Sequence, residues 1–307
     1  MDYIMTTEGL TKMYGSKTAA KDINIHIREG EIYGLIGRNG AGKTTVMRML
    51  SGLSVPTSGS FTLFGKTGKD VRKEMCKVGV LIEHPGIYPN MSAIENLKIK
   101  CIAVGVKNSK AAAGDLLNVV GLSGVGDKAA GSFSLGMRQR LGIALALVGN
   151  PKIIILDEPI NGLDPQGIVE IRRTLARLRD ERKITVMISS HILDELAKIA
   201  TNYGFIDKGH IVRQMSSEEL KNECRKSVRM KVSDVGLLTK VMEEKGIEYK
   251  VIDGNTADVY AELNFSAVAK DFDKVGCSIL TMEEHDESLE AFYLSLLGGE
   301  DVQKSVC

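Results

Sequence analysis

The segment Gly37–Thr44, GRNGAGKT, constrains this chain more than any other. It fits the pattern GxxxxGK[ST] and lies between EIYGLIG, which reads as a buried strand, and VMRMLSG, which reads as a helix. Glycines there let backbone N–H groups turn inward around the β- and γ-phosphates of a nucleotide, where the helix N-terminus adds positive potential. Lys43 supplies a point charge to those phosphates, and the Thr44 hydroxyl is placed to ligate Mg²⁺. The expected ATP contacts are Gly37, Arg38, Asn39, Gly40, Ala41, Gly42, Lys43, Thr44 and Thr45.

A strand–loop–helix unit of this kind needs a parallel sheet around it. Ile153–Leu156 and Ile184–Ile188 are apolar runs, the pattern of strands covered on both faces, so an open α/β sheet follows. The first run ends in IIILDEP, which puts two carboxylates at the sheet edge where a nucleotide binds. Asp157 is expected to hold Mg²⁺ through water, and Glu158 to orient or deprotonate the attacking water.

Around this sheet, Ile23, Ile25 and Ile27 alternate with polar residues and read as one half-exposed strand, antiparallel to one near Tyr3–Thr7. A helical stretch runs from about Ser92 to Val148, its first helix opening with Ser92 and Glu95 at capping-box spacing. Another helix follows Asp164, with Pro165 in its first turn and Ile168, Ile171, Leu175 and Leu178 on one face. Lys208-Gly209 reads as a hairpin turn, and the polar stretch from Ser216 to Lys226 as a helix leading to a boundary. The expected division is residues 1–220 and residues 221–307. The second part reads strand, helix, two strands, helix, strand, helix, a small α+β domain of ferredoxin-like type.

Forty basic and thirty-nine acidic residues leave a net charge of +1, so no global field selects nucleic acid or an acidic membrane surface. The five cysteines, Cys76, Cys101, Cys224, Cys277 and Cys307, never form a CxxC pair, which points away from a zinc site and towards a reducing cytosol. No apolar stretch approaches the ~20 residues of a membrane-spanning helix, and MDYIMTTEGL lacks the apolar core of a signal peptide. Any membrane role is expected to come through a partner.

Four further segments, in order, make residues 1–216 resemble the ABC ATPase family. FSLGMRQR, Phe133–Arg140, is similar to the signature motif, usually LSGGQ followed by RQR. NGLDP, containing Asp164, resembles the loop that joins two subunits; His191 in SSHILDEL stands where the family has its switch histidine; and Tyr14 in TKMYG matches the aromatic residue that stacks on adenine. The resemblance implies a P-loop ABC ATPase fold with an antiparallel β subdomain and a helical subdomain. It implies catalytic roles for Lys43, Glu158 and His191. It also implies that Ser134 and Gly136, at a helix N-terminus, face the γ-phosphate bound by a second copy or a homologous chain. The partners implied are that second ATPase chain and an integral-membrane permease at the cytoplasmic face of the membrane, with no nucleic acid.

Two departures stand out. Leu135 and Met137 replace a glycine and the glutamine of the signature. Glu83, in VGVLIEHPGIYP, replaces the glutamine that touches Mg²⁺ and couples to the permease, which makes Glu83 a candidate metal ligand. Glutamate there resembles the bacitracin-resistance and lantibiotic-immunity branch of exporters. A rival reading, a soluble ABC ATPase acting on nucleic acid or ribosomes, usually has two cassettes or a coiled-coil insertion, whereas this chain has one phosphate loop and no basic run. A third reading makes the second domain a regulatory module. Its carboxylates Glu283, Glu284, Asp286 and Glu287, with His285 among them, are expected to be a solvated face.

Overall fold

The computed structural model describes residues 3–224, 227–261, 265–285 and 289–297. Asp286, Glu287, Cys307 and the side chain of His285 lie outside the described residues. By its contacts the chain divides into two compact units, Met1–Ser217 and Glu218–Cys307.

The first unit opens with β1 (Tyr3–Tyr14), β2 (Lys17–Ile23), β3 (His26–Arg28), β4 (Ile32–Ile36), α1 (Lys43–Leu50) and β5 (Ser58–Leu63). It continues through α2 (Val71–Glu74), β6 (Val78–Leu81), α3 (Ala93–Val104), α4 (Ser109–Val119), α5 (Leu135–Ala146) and β7 (Ile153–Leu156). It closes with α6 (Pro165–Arg182), β8 (Thr185–Ser190), α7 (Leu193–Ala197), β9 (Asn202–Asp207) and β10 (His210–Ser216).

Six strands form the central sheet in the order β10-β9-β4-β8-β7-β6. All neighbours pair in parallel except β9 and β10, which meet at the Lys208-Gly209 turn, where both residues have positive φ (45° and 83°). Every residue of β4, β7 and β8 is buried, as strands covered on both faces require.

A second, antiparallel sheet is built on β1, which pairs with β2, β3 and β5. The single strand expected over Ile23–Ile27 is in fact two. β2 ends at Ile23 opposite Leu10, and β3 places Ile27 opposite Met5. The break follows from Asp22, whose φ of 53° bends the chain, and from Thr7, whose hydroxyl donates to the Ile23 carbonyl at 2.7 Å and accepts from Ile25 N–H at 2.7 Å. The three isoleucines are fully buried while Asn24 and His26 between them are exposed, the alternation expected of a half-exposed segment. The isoleucines pack in one cluster with Val46, Met47, Met49 and Leu50 of α1 and with Leu35, Ile153 and Ile155 of the central sheet. At about 1.5–3 kcal/mol per large apolar side chain, this burial fixes α1 and therefore the loop before it.

The helical part, α3 to α5, starts with a complete capping box. Ser92 Oγ accepts the Glu95 N–H, and Glu95 Oε2 accepts the Ser92 N–H at 2.7 Å. Those bonds from Ser92 hold the Glu95 carboxyl below its usual pKa. α6 is capped by Asp164 and has Pro165 in its first turn. Ile171, Leu175 and Leu178 of its apolar stripe are fully buried, and Ile168 is half-buried.

The second unit contains most of α8 (Ser217–Glu223), then β11 (Ser227–Val232), α9 (Val235–Glu244), β12 (Tyr249–Val251) and β13 (Thr256–Val259). α10 (Phe265–Lys274), β14 (Ile279–His285) and α11 (Leu289–Leu296) complete it. The sheet order β12-β13-β11-β14, antiparallel throughout, is that of the split βαβ arrangement expected from the order of its elements. Met230, Val232, Leu238, Met242, Val259 and Phe272 form its core. Asp271 of α10 pairs with Lys245, at the C-terminal end of α9, at 2.5 Å and with Lys274 of its own helix at 2.8 Å, and these bonds pull its carboxyl down to about 2.

Candidate active site

The site is assembled where the C-terminal ends of β4, β7 and β8 meet. β4 pairs with β8, Ile36 lies opposite Ser190, and the Gly37 N–H donates to the Ser190 carbonyl at 3.4 Å. Gly37 has no room for a side chain, since a Cβ there would stand 2.5 Å from the Ile206 carbonyl oxygen. Gly42, with φ of 110°, would bring a Cβ to 2.6 Å from the Ala19 carbonyl. Backbone crowding therefore requires glycine at both positions, and at Gly42 the left-handed conformation requires it as well. Arg38, Asn39 and Gly40 are exposed at the loop crest, Ala41 is buried beneath it, and Thr45 is half-buried. No side chain caps α1, which leaves its first N–H groups for an external acceptor such as phosphate.

Lys43 is only 5% exposed, and its charge is met from three sides. Nζ donates to the Gly37 carbonyl at 2.6 Å and the Arg38 carbonyl at 3.2 Å, and it lies 3.0 Å from Glu158 Oε1. Glu158 Oε1 has no other partner among the described residues. Glu158 Oε2 faces His191 Nδ1 at 2.8 Å. Three side chains expected from separate motifs thus form one row, Lys43, Glu158 and His191.

Asp157, 4% exposed, is held at both oxygens. Thr44 Oγ1 donates to Oδ2 at 2.7 Å, and Ser189 Oγ donates to Oδ1 at 2.6 Å. Ser189 also accepts the Glu158 N–H at 2.9 Å. Ser189 belongs to none of the sequence motifs. The available signal was a pair of serines closing the otherwise apolar run of β8, because a buried hydroxyl needs a partner.

The oxygens of Thr44 and Asp157 are hard donors of the kind Mg²⁺ prefers. Among the described residues no three His, Cys, Asp or Glu converge on a point. A cation here must therefore complete its shell with phosphate oxygens and water, as Mg²⁺ does in phosphate-transfer sites.

The remaining expected contacts lie apart from this row. Tyr14, at the end of β1, is 47% exposed, with Lys12 Nζ 5.0 Å from its ring centroid, so one face is open for stacking. Glu83 has a left-handed φ of 64° and pairs with Arg48 of α1 at 2.6 Å, a partner the sequence did not suggest. Ser134 caps α5 by accepting the Met137 N–H at 3.2 Å, and Asp164 caps α6 by accepting the Gly167 N–H at 3.0 Å. Gly136 adjoins Gly167 and Leu163, and Leu135 leans on Gly162. Among the described residues no hydrogen bond joins Ser134, Gly136 or Asp164 to the phosphate loop.

A strand–glycine loop–helix cradle, with a buried lysine after β4 and two carboxylates after β7, the two strands separated by β8 in a parallel sheet, defines a P-loop nucleoside triphosphatase. The family model described as ABC transporter matches residues 20–161. The bacitracin transport ATP-binding protein BcrA of Bacillus licheniformis is 41% identical over 97% of this chain and 99% of its own length. The lantibiotic transport ATP-binding protein SrtF of Streptococcus pyogenes is 42% identical over 71% of this chain and 93% of its own. Among solved structures, cbiO1 of Clostridium perfringens, part of the cbiONQ ABC transporter complex, is 29% identical, with a TM-score of 0.66 over 73% of this chain and 92% of its own. The chain belongs to the ABC transporter family, as an ATP-binding and ATP-hydrolysing subunit.

Proposed function

We propose that two such chains close around MgATP and power export of antimicrobial peptides, of the bacitracin or lantibiotic kind, through a separate permease. The observation that carries the two-chain site is the exposed, separately capped N-terminal end of α5. Ser134 and Gly136 stand at a helix end suited to an anion, and among the described residues no hydrogen bond joins them to an acidic side chain, while Asn39 and Gly40 are exposed at the crest of the phosphate loop. The substrate class rests on the names and near full-length coverage of the BcrA relatives.

In this reading the phosphates enter the loop between Gly37 and Thr45, and Tyr14 stacks on the adenine. Lys43 leaves Glu158 for the γ-phosphate, which frees Oε1. Glu158, oriented by His191, takes a proton from a water that attacks the γ-phosphorus in line, and the bond to the β–γ bridging oxygen breaks to release ADP. Ser134 and Gly136 of the second chain stabilise the phosphate charge, and Asp164 shapes the loop between the chains. Thr44, Asp157 and Glu83 are the proposed protein groups around Mg²⁺, whose charge, when bound, offsets that of the β- and γ-phosphates.

No helix among the described residues is long and apolar enough to cross a membrane. A groove of about 840 Å³, lined by Ile82, Pro85, Tyr88, Ile99 and Leu145, begins beside Glu83 and suits a short helix of the permease. In this reading the chain works at the cytoplasmic face, with residues 221–307 as an accessory domain. The test is to co-express the chain with a candidate permease and measure the growth-inhibiting concentrations of bacitracin and a lantibiotic. Protection that depends on Glu158 is expected for one class; no protection against either would discard the substrate assignment.

Glu83 provides a finer test. Its pair with Arg48 is exposed, and such pairs contribute about 0–1 kcal/mol. Glu83→Gln is therefore expected to keep kcat within about tenfold, while raising the Mg²⁺ concentration needed for half-maximal ATPase. Superimposable Mg²⁺ titrations would show that Glu83 serves Arg48 alone.

A further inference from the structure

We propose that Ser189 is a positioning residue that couples the two carboxylates of the site, setting the metal-facing side of Asp157 and the aim of Glu158 through one hydroxyl. The proposal rests on the ATPase reading of the site. Ser189 is fully buried near the end of β8, and its oxygen makes two bonds of opposite sense. It donates its single proton to Asp157 Oδ1 at 2.6 Å and accepts the Glu158 N–H at 2.9 Å. A hydroxyl has one donor and two lone pairs, so both bonds form together without competition.

The consequences at the two carboxylates differ. Because Oδ1 of Asp157 is taken by Ser189, Oδ2 is the oxygen turned to Thr44 Oγ1, which fixes which edge of the carboxylate is presented to a cation. Glu158 sits at φ of 48°, a left-handed conformation that a residue with a side chain adopts only when its surroundings hold it there. The bond from its N–H to Ser189 is one such restraint, and that conformation places its carboxylate between Lys43 and His191. Removing the hydroxyl takes the partner from a partly buried N–H and from a buried Asp157 oxygen at once, and the second of these is shielded from bulk water. Ser189 touches no reacting atom, so its effect must pass through Asp157 and Glu158.

The experiment compares wild type with Ser189→Ala, Ser189→Cys and Ser189→Thr. Cysteine keeps nearly the same volume with a poor hydrogen-bonding atom, and threonine keeps the hydroxyl on a strand that suits it. Mn²⁺ binding is read by electron paramagnetic resonance in the presence of a non-hydrolysable ATP analogue, alongside steady-state ATPase and thermal midpoints. The alanine and cysteine variants should bind Mn²⁺ at least tenfold more weakly and lose at least tenfold in kcat, with KM for ATP within threefold. Threonine should restore both to within threefold. Should the alanine variant fail to fold, the cysteine variant decides alone. Wild-type Mn²⁺ affinity and kcat in the cysteine variant, with only a lowered thermal midpoint, would overturn the proposal and leave Ser189 as packing. Failure of the ATPase reading would look different, since wild type itself would then not hydrolyse ATP while the Mn²⁺ titrations would still rank the variants.

Discussion

Glu158→Gln should bind ATP normally and hydrolyse it some 10² to 10⁴-fold more slowly, the usual contribution of a positioned general base. The substitution keeps the shape of a side chain whose two oxygens lie 3.0 Å from Lys43 and 2.8 Å from His191. What it removes is the charge and the basicity. Loss of that negative charge beside the incoming γ-phosphate also removes a repulsion, so ATP affinity should hold or rise while turnover falls. Single-turnover hydrolysis with labelled ATP checks both at once. Turnover within about threefold of wild type would show that the water is activated elsewhere.

Lys43→Ala should weaken ATP binding by at least roughly thirtyfold, or about 2 kcal/mol, the lower end for truncating one partner of a buried charge pair. This side chain is satisfied by two carbonyls and Glu158, so ATP must offer it a better partner to draw it away. Truncation also leaves Glu158 Oε1 without its one partner among the described residues, so the apo protein should lose thermal stability as well. Calorimetric titration with ATP, read beside the thermal midpoint, separates the two effects. Unchanged ATP affinity would remove Lys43 from the phosphate site.

Most of the fold around the site is legible because its signals are local. The phosphate loop needs its glycines within a few residues, β7 and β8 announce themselves as apolar runs, and the caps at Ser92 and Asp164 lie next to the helices they start. The second unit was also readable, since the order of its elements admits few sheets. What stayed hidden depends on which strands become neighbours. Ser189 reaches Asp157 only because β8 lies beside β7, and Arg48 meets Glu83 across a gap of 35 residues. The split of Ile23 from Ile27 likewise comes from Thr7, a residue of the neighbouring strand, which no alternation pattern reports.

In the proposed mechanism one chain holds only half of a working ATP site. The most direct test is the molar mass of Glu158→Gln by light scattering, with and without saturating MgATP. Blocking hydrolysis should trap the closed state, so the mass should be that of one chain without nucleotide and of two chains with it. A single-chain mass at saturating MgATP, with ATP demonstrably bound, would contradict the two-chain site.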